Sequence, residues 1–283
     1  MAASQGKRRP TGGVGQLRLS LDGTSRYDRL RYLGIREFGD SPHTSRTMML
    51  AELSVLLDEV GCDATRADYG AAIIDANVLG KTSTMNRKKT DELLVRVYGL
   101  DGNLPLFRAL RRFWRDDDSG RPVLALLAAM ARDPVLRSSW PLVQAQPVGA
   151  VVTSAQFADG LRPMVPHYSP KSLASLGRNV ASTWGQAGHL QGIARRRRQR
   201  PQVSVAAVAF ALLLGHLEGH RGLALFDTTW TSVLELPSAD LLSFAAAASQ
   251  RGLLQLLRVG DVVEVRFPNL LTEQEEALCH EPA

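Results

Sequence analysis

Five arginines occupy the six positions from Arg195 to Arg200, broken only by Gln199. A guanidinium stays charged in proteins, and its planar fork of donors pairs with phosphate or carboxylate oxygens. A run like this serves as a tail, as a linker, or as a loop held against a polyanion. Arg195, Arg196, Arg197, Arg198 and Arg200 lie well inside the chain, which excludes a tail. A second group, Lys81, Ser83, Asn86, Arg87, Lys88 and Lys89, puts short polar and basic side chains at the opening of a helical pattern. That placement suits phosphate or major-groove contact, and it equally suits a solvated helix face. A third group, Lys171, Ser172 and Arg178, stands in a helix that begins after Ser169. Any reading of bases would fall to Asn86, Lys171 or Ser172.

Other patterns fail on inspection. "VLGKTS", Val78 to Ser83, ends like a phosphate-binding loop, but the glycine needed five residues before Gly80 is Asp75 and no strand pattern precedes it. "HLEGH" puts His216 and His220 four apart without an evident third ligand, and Gly219 weakens the helix between them. Asp116 to Asp118 follow Arg111, Arg112 and Arg115 and read as a solvated acidic turn. Cys62 and Cys279 are too few for a disulfide framework or a cysteine-based metal site. No nucleophile elbow, Cys–His arrangement or dinucleotide fingerprint appears. The expectation is a non-enzymatic protein without metal or cofactor.

Bulk composition points the same way. The chain has 283 residues, is 45% hydrophobic and 22% charged, and carries a formal net charge of +6. These proportions belong to a folded globular protein, and the basic balance favours an anionic partner. GC-rich coding also inflates arginine. No signal-peptide pattern is visible. The longest apolar run, Val203 to Gly215, is shorter than the ~20 residues needed to cross a bilayer. A cytoplasmic protein with no membrane contact is expected.

The elements that would position these residues can be read from spacing. Residues 1–25 read as a flexible basic arm. From Ser41, Met48, Leu50, Leu53, Val55, Leu56 and Val60 mark a helix ended by Gly61. Tyr69, Ala72, Ile73 and Ala76 mark another, stopped by Gly80. Thr82 and Ser83 can cap a third, closed by Gly99. "LPLFRALRRFWR" and "RPVLALLAAMAR" read as two more. After the breakers between Trp140 and Ser154 comes a short capped helix, then one with Ser169 as cap and Pro170 in the first turn. "VSVAAVAFALLLG" is a core helix, "LALFDTTWTSVLEL" looks extended, "SADLLSFAAAASQ" is helical with Ser238 as cap, and "LLQLLRVGDVVEVRFP" is a hairpin. Two segments, Ser169–Leu190 and Ser238–Leu254, thus share an order: capped helix, glycine, leucine, then chain that folds back. That is the order of a recognition helix and wing.

The stretch "TSRTMMLAEL…YGAAIIDANVLGKTSTMNRKKTDELLVRVYGL" resembles the BrxA family of BREX bacteriophage-defence systems. The likeness rests on a capped helix, a short gap, and then Asn77, Leu79, Lys81, Ser83 and Arg87 in the shape N-x-L-x-K-x-S-x-x-x-R, and it covers roughly residues 41–140. The resemblance implies a small helical, non-enzymatic component of a phage-defence operon, similar to DNA-binding proteins with helix-turn-helix or winged-helix parts. Its partners would be double-stranded DNA and other defence proteins. The expected fold is mainly α. A helical domain with a helix-turn-helix (26–145) is followed by a winged-helix-like domain with short β-hairpins (146–270) and a C-terminal tail (271–283). An interaction scaffold for other defence subunits is the alternative. Leu190, Ile193 and Val203 are expected to pair as hairpin arms, with Arg195 to Arg198 projecting at the tip beside the Ser169 helix.

Overall fold

The computed structural model describes residues 25–115, 117–193, 195–260 and 262–280. The expected arm, apart from Ser25, lies outside the described residues. The chain is mainly helical with small antiparallel sheets. At its centre are two helices whose sequences dictate burial. In α11 (Val205–Leu217) every residue after Val205 is buried, and in α6 (Arg121–Arg132) every residue from Val123 on is buried. A helix apolar on all sides has to be surrounded. The two pack on each other, and α5 (Pro105–Trp114) packs on both. Earlier in the chain, α1 (Arg26–Leu33), α2 (Leu50–Glu59), α3 (Arg66–Ile74) and α4 (Thr84–Tyr98) bury their apolar stripes in the same cluster, which runs from Leu30 to Cys279.

Local chemistry sets the helix starts. Thr65 and Asp68 form a reciprocal capping box at α3, and Ser83 accepts the Asn86 N–H at α4, satisfying donors that have no intrahelical partner. Asp133 accepts from Val135 N and Leu136 N at α7 (Pro134–Arg137), which α8 (Trp140–Gln144) follows. Next come β1 (Val151–Val152), α9 (Ser154–Leu161), α10 (Pro170–Gln186), β2 (Leu190–Gln191) and β3 (Arg196–Arg198). Thr153 and Gln156 box α9, and Ser169 caps α10 with Pro170 at its first position. β3 is the centre of an antiparallel sheet in the order β1-β3-β2.

After α11 the chain forms a 3-10 turn at Gly222–Phe226, then α12 (Thr229–Ser232), α13 (Ser238–Gln250) and the hairpin β4 (Gln255–Val259) with β5 (Val262–Arg266). The extended stretch expected around Leu223–Leu236 is therefore helical. Thr228 and Thr231 cap each other reciprocally and start a turn of helix there, which outweighs their β propensity. Ser238 is the first residue of α13, not its cap; Pro237 holds the cap position without a side-chain bond. Residues expected as a tail form α14 (Glu273–His280). Thr272 and Glu275 exchange capping bonds, and Glu275 pairs with Arg108 at 2.5 Å. No helix among the described residues is long and apolar enough to cross a membrane.

Candidate nucleic-acid interface

The packing of α9 on α10 fixes the first basic element. Gly177 sits where α10 meets α9, and a methyl group added there would overlap the Ser154 carbonyl oxygen. Leu173, Leu176, Val180 and Trp184 face inward, while Lys171, Ala174 and Arg178 are exposed along one stripe. Arg178 bonds the Ser175 hydroxyl at 3.0 Å. Ser172 is only half exposed, and its hydroxyl lies 3.0 Å from that of Ser169 in the cap.

The far side of α10 is fastened to the segment before α2 by a buried polar network. His43 Nδ1 donates to Asp133 Oδ2 at 2.7 Å, and His43 Nε2 lies 3.0 Å from Thr183 Oγ1, which accepts the Met48 N–H at 3.0 Å. Ser41 Oγ also donates to Asp133, at 2.5 Å. Burial works against the Asp133 carboxylate, but bonds from His43, Ser41 and the Leu136 N–H outweigh it and hold its pKa below the ordinary value. Carboxylate, imidazole and hydroxyl in this order resemble a hydrolytic triad. All three are buried, with His43, Asp133 and Thr183 each at 0% exposure, so no substrate reaches the hydroxyl. The network orients α10.

The arginine run divides into two roles. Gly192, at φ +103°, allows the tight turn after β2, where a side chain would crowd the Arg195 carbonyl. Leu190 pairs with Arg198 and Gln191 with Arg197, so Arg196 to Arg198 form the return strand. Ile193 and Val203 lie outside the paired residues, and Arg196 to Arg198 are the strand and not its tip, which corrects the expected pairing. Strand alternation sends neighbouring side chains to opposite faces. Arg197 is exposed and donates to Gly149 O at 3.1 Å, Arg196 is half-buried, and Arg195 and Arg200 are exposed. Arg198 points inward and is 2% exposed. It pairs with Glu235, donates to Val143 O at 3.1 Å and stacks over the Trp140 ring at 5.9 Å. Arg198 is thus a core residue and cannot contact a duplex. Beside it His189 donates from Nε2 to Val233 O at 2.8 Å. Burial, with Arg198 adding to it, lowers the His189 pKa to about 3.

The hairpin stands beside α10, though not where the sequence suggests. An open groove of about 420 Å³ runs between them, lined by Ser182, Gln186, Gln191, Ile193, Arg196 and Gln199 among others. Arg196 therefore faces the C-terminal half of α10. At 1.5 Å per residue, Lys171 lies about 16 Å along the helix from Ser182. Gln191 and Ile193 escape a sequence reading guided by charge. Ile193 is 87% exposed at the turn, and the glycine before it is the one local sign of that turn.

The group at 81–89 divides as well. Lys88 and Lys89 are exposed on the first turns of α4, with Ser83 exposed and Asn86 half-buried. Lys81 pairs with Glu52 at 2.9 Å, and Arg87 donates to Ile74 O at 3.1 Å across the turn between α3 and α4. These two hold the turn together. Through α2 this region meets α10: Glu52 belongs to the first turn of α2, whose Leu50 N–H is accepted by Gln186.

No protein-family model matches the chain, and no curated protein matches it.

Proposed function

We propose that this chain is a non-enzymatic, double-stranded DNA-binding component of a phage-defence system of the BREX type, working in the cytoplasm with other defence proteins. In this reading β1, α9, α10, β2 and β3 form a winged-helix unit. α10 presents Lys171 and Arg178, and the β2–β3 wing presents Arg195, Arg196 and Arg197. The α3–α4 pair is a helix-turn-helix with Ser83, Asn86, Lys88 and Lys89 at its tip. The observation that carries the reading is the open groove that sets Arg196 beside the C-terminal half of α10, the helix whose N-terminal half exposes Lys171 and Arg178. A duplex major groove about 12 Å wide admits a helix, and basic side chains flanking it meet the phosphates. Gel shift on a duplex at low and high salt tests it. Binding at low salt that weakens steeply with salt is expected; no binding at low salt would contradict it.

A second reading has an observation of its own. The β4–β5 hairpin carries exposed Leu257, Val259 and Val262 near its turn, with Val259 80% exposed. Apolar side chains grouped at a tip suit a protein contact better than a phosphate backbone. The C-terminal unit is on this basis a docking element for defence partners. Pull-down of operon partners that is lost in Val259→Lys would support it, and undiminished capture would oppose it.

A further inference from the structure

A second basic surface shares no residue with the groove beside α10. It is built on α1 and the chain that follows, "RYDRLRYLGIREF", Arg26 to Phe38, where aromatic and basic residues interleave. Gly34, at φ +105°, ends α1 and turns the chain. Phe38 then lies on Tyr27, with ring centroids 5.8 Å apart and ring planes at 39°. Core packing does not account for this pair, because Phe38 is 72% exposed and Tyr27 37%. Exposure on that scale leaves ring surface open to a planar partner.

The same surface gathers guanidiniums without counter-charges. Arg36 is half-buried, and burial, then the charges of Arg96 and Arg31, lower its pKa. Arg31 is exposed, and Arg96 donates to Asp40 O at 3.1 Å. Behind them the buried Arg132 donates to Gly34 O at 3.3 Å and to Arg96 O at 3.2 Å. Burial and the charge of Arg36 lower its pKa to about 9. No carboxylate among the described residues forms an ion pair with Arg31, Arg36, Arg96 or Arg132. The carboxylates close by in sequence are engaged elsewhere: Asp28 with the Ser25 hydroxyl at 2.7 Å, Glu37 with Arg26 at 3.6 Å, and Asp40 with His167 at 3.3 Å. Like charges held together repel, and an anion seated among them relieves that repulsion.

We propose that this surface binds single-stranded nucleic acid, with a base stacked on Phe38 and Tyr27 and the flanking phosphates on Arg31, Arg36 and Arg96. A protein ring can stack on a base only where that base has left its own stack, so an intact duplex does not fit. Exposed rings alone would suit an apolar partner, and guanidiniums alone any polyanion. Side by side they suit a strand that alternates base and phosphate. Neither the site nor its test depends on duplex binding at α10.

Fluorescence anisotropy of labelled oligothymidine, with the full chain at low salt, tests this. The parent is expected to bind it, and to bind a strand of the same length built from abasic units about tenfold more weakly. Phe38→Ala should weaken oligothymidine binding by about tenfold with the urea midpoint unchanged, whereas Phe38→Trp should bind at least as well as the parent. Arg31→Ala should make the slope of log K against log salt shallower by about 0.7. No binding of oligothymidine would overturn the proposal. So would equal affinity for the abasic strand, or full affinity in Phe38→Ala. Displacement by polyglutamate as complete as by unlabelled oligothymidine at matched charge would overturn it too, and would assign the surface to an acidic peptide.

Discussion

Two parts of the molecule repeat one order of elements with different surfaces. In each, a helix ends near a glycine with positive φ, Gly188 after α10 and Gly252 after α13, and the chain then turns back as a hairpin. The first unit exposes Lys171 and Arg178 on its helix and Arg195, Arg197 and Arg200 at its hairpin. The second exposes Ser238, Ala239 and Asp240 on its helix and, at its hairpin, Leu257, Val259 and Val262 together with Arg258, Glu264 and Arg266. The insides differ too. Val263 and Val265 fill the inward positions of β5, whereas β3 turns Arg198 inward onto Glu235 and Trp140. The backbone plan therefore does not determine the surface; the residues at alternate strand positions do. In the first hairpin the outward positions carry exposed charge, and the inward one carries a charge that is paired in the core.

The largest expected effect comes from removing that inward charge. Arg198→Ala leaves Glu235 without its partner and several carbonyls without a donor, and should cost about 3–5 kcal/mol, read as a lower urea midpoint. A midpoint within error of the parent would mean Arg198 is not a core residue. Gly177→Ala should cost about 1–3 kcal/mol, because the new methyl forces α9 and α10 apart; Ala174→Ser on the exposed stripe is the control that should leave the midpoint in place.

The cluster around Arg198 also predicts a pH dependence. His189 has a folded pKa of about 3 against an ordinary 6.5. Above 6.5 neither state binds the proton; below it the unfolded chain takes one that the folded chain refuses. Stability is thus full above pH 6.5 and falls progressively toward pH 3, by about 2 kcal/mol at pH 5. Asp133 adds its own loss only as pH falls below its ordinary 3.8. Urea midpoints between pH 7 and 5 test this, and His189→Gln should flatten the profile. The smallest expected effect lies in the second unit, where Arg258 and Arg266 are exposed at the β4–β5 hairpin. Replacing both with alanine should move stability by no more than about 0.5 kcal/mol and leave duplex affinity unchanged.

Much of the helical plan is legible in the residues. Ser83 and Ser169 are capping side chains, Pro170 opens α10, and the apolar run after Val203 is a buried helix, because these signals act within a few neighbours. What escapes a sequence reading depends on distant partners. Nothing near Arg198 tells it from Arg197; Glu235 and Trp140, far away in the chain, decide which of them turns inward. The His43–Asp133–Thr183 network joins three separate segments, and Lys81 and Arg87 look like free cations until Glu52 and the Ile74 carbonyl are placed beside them. α14 is short and acidic, and what docks it is distant in sequence: Arg108 on Glu275, His216 on Glu276, Arg221 on the Cys279 carbonyl, and burial of Leu278 and Cys279.

The most direct test is the salt dependence of duplex binding for three proteins: the parent chain, Arg195→Ala/Arg196→Ala/Arg197→Ala, and Arg258→Ala/Arg266→Ala. Each lost phosphate contact should reduce the slope of log K against log salt by about 0.9. The first variant is expected to have a slope shallower by about 2–3, with an unchanged unfolding midpoint, and the second a slope equal to the parent's. Equal slopes for all three, or a parent chain that does not bind at low salt, would contradict the assignment of the first hairpin to DNA.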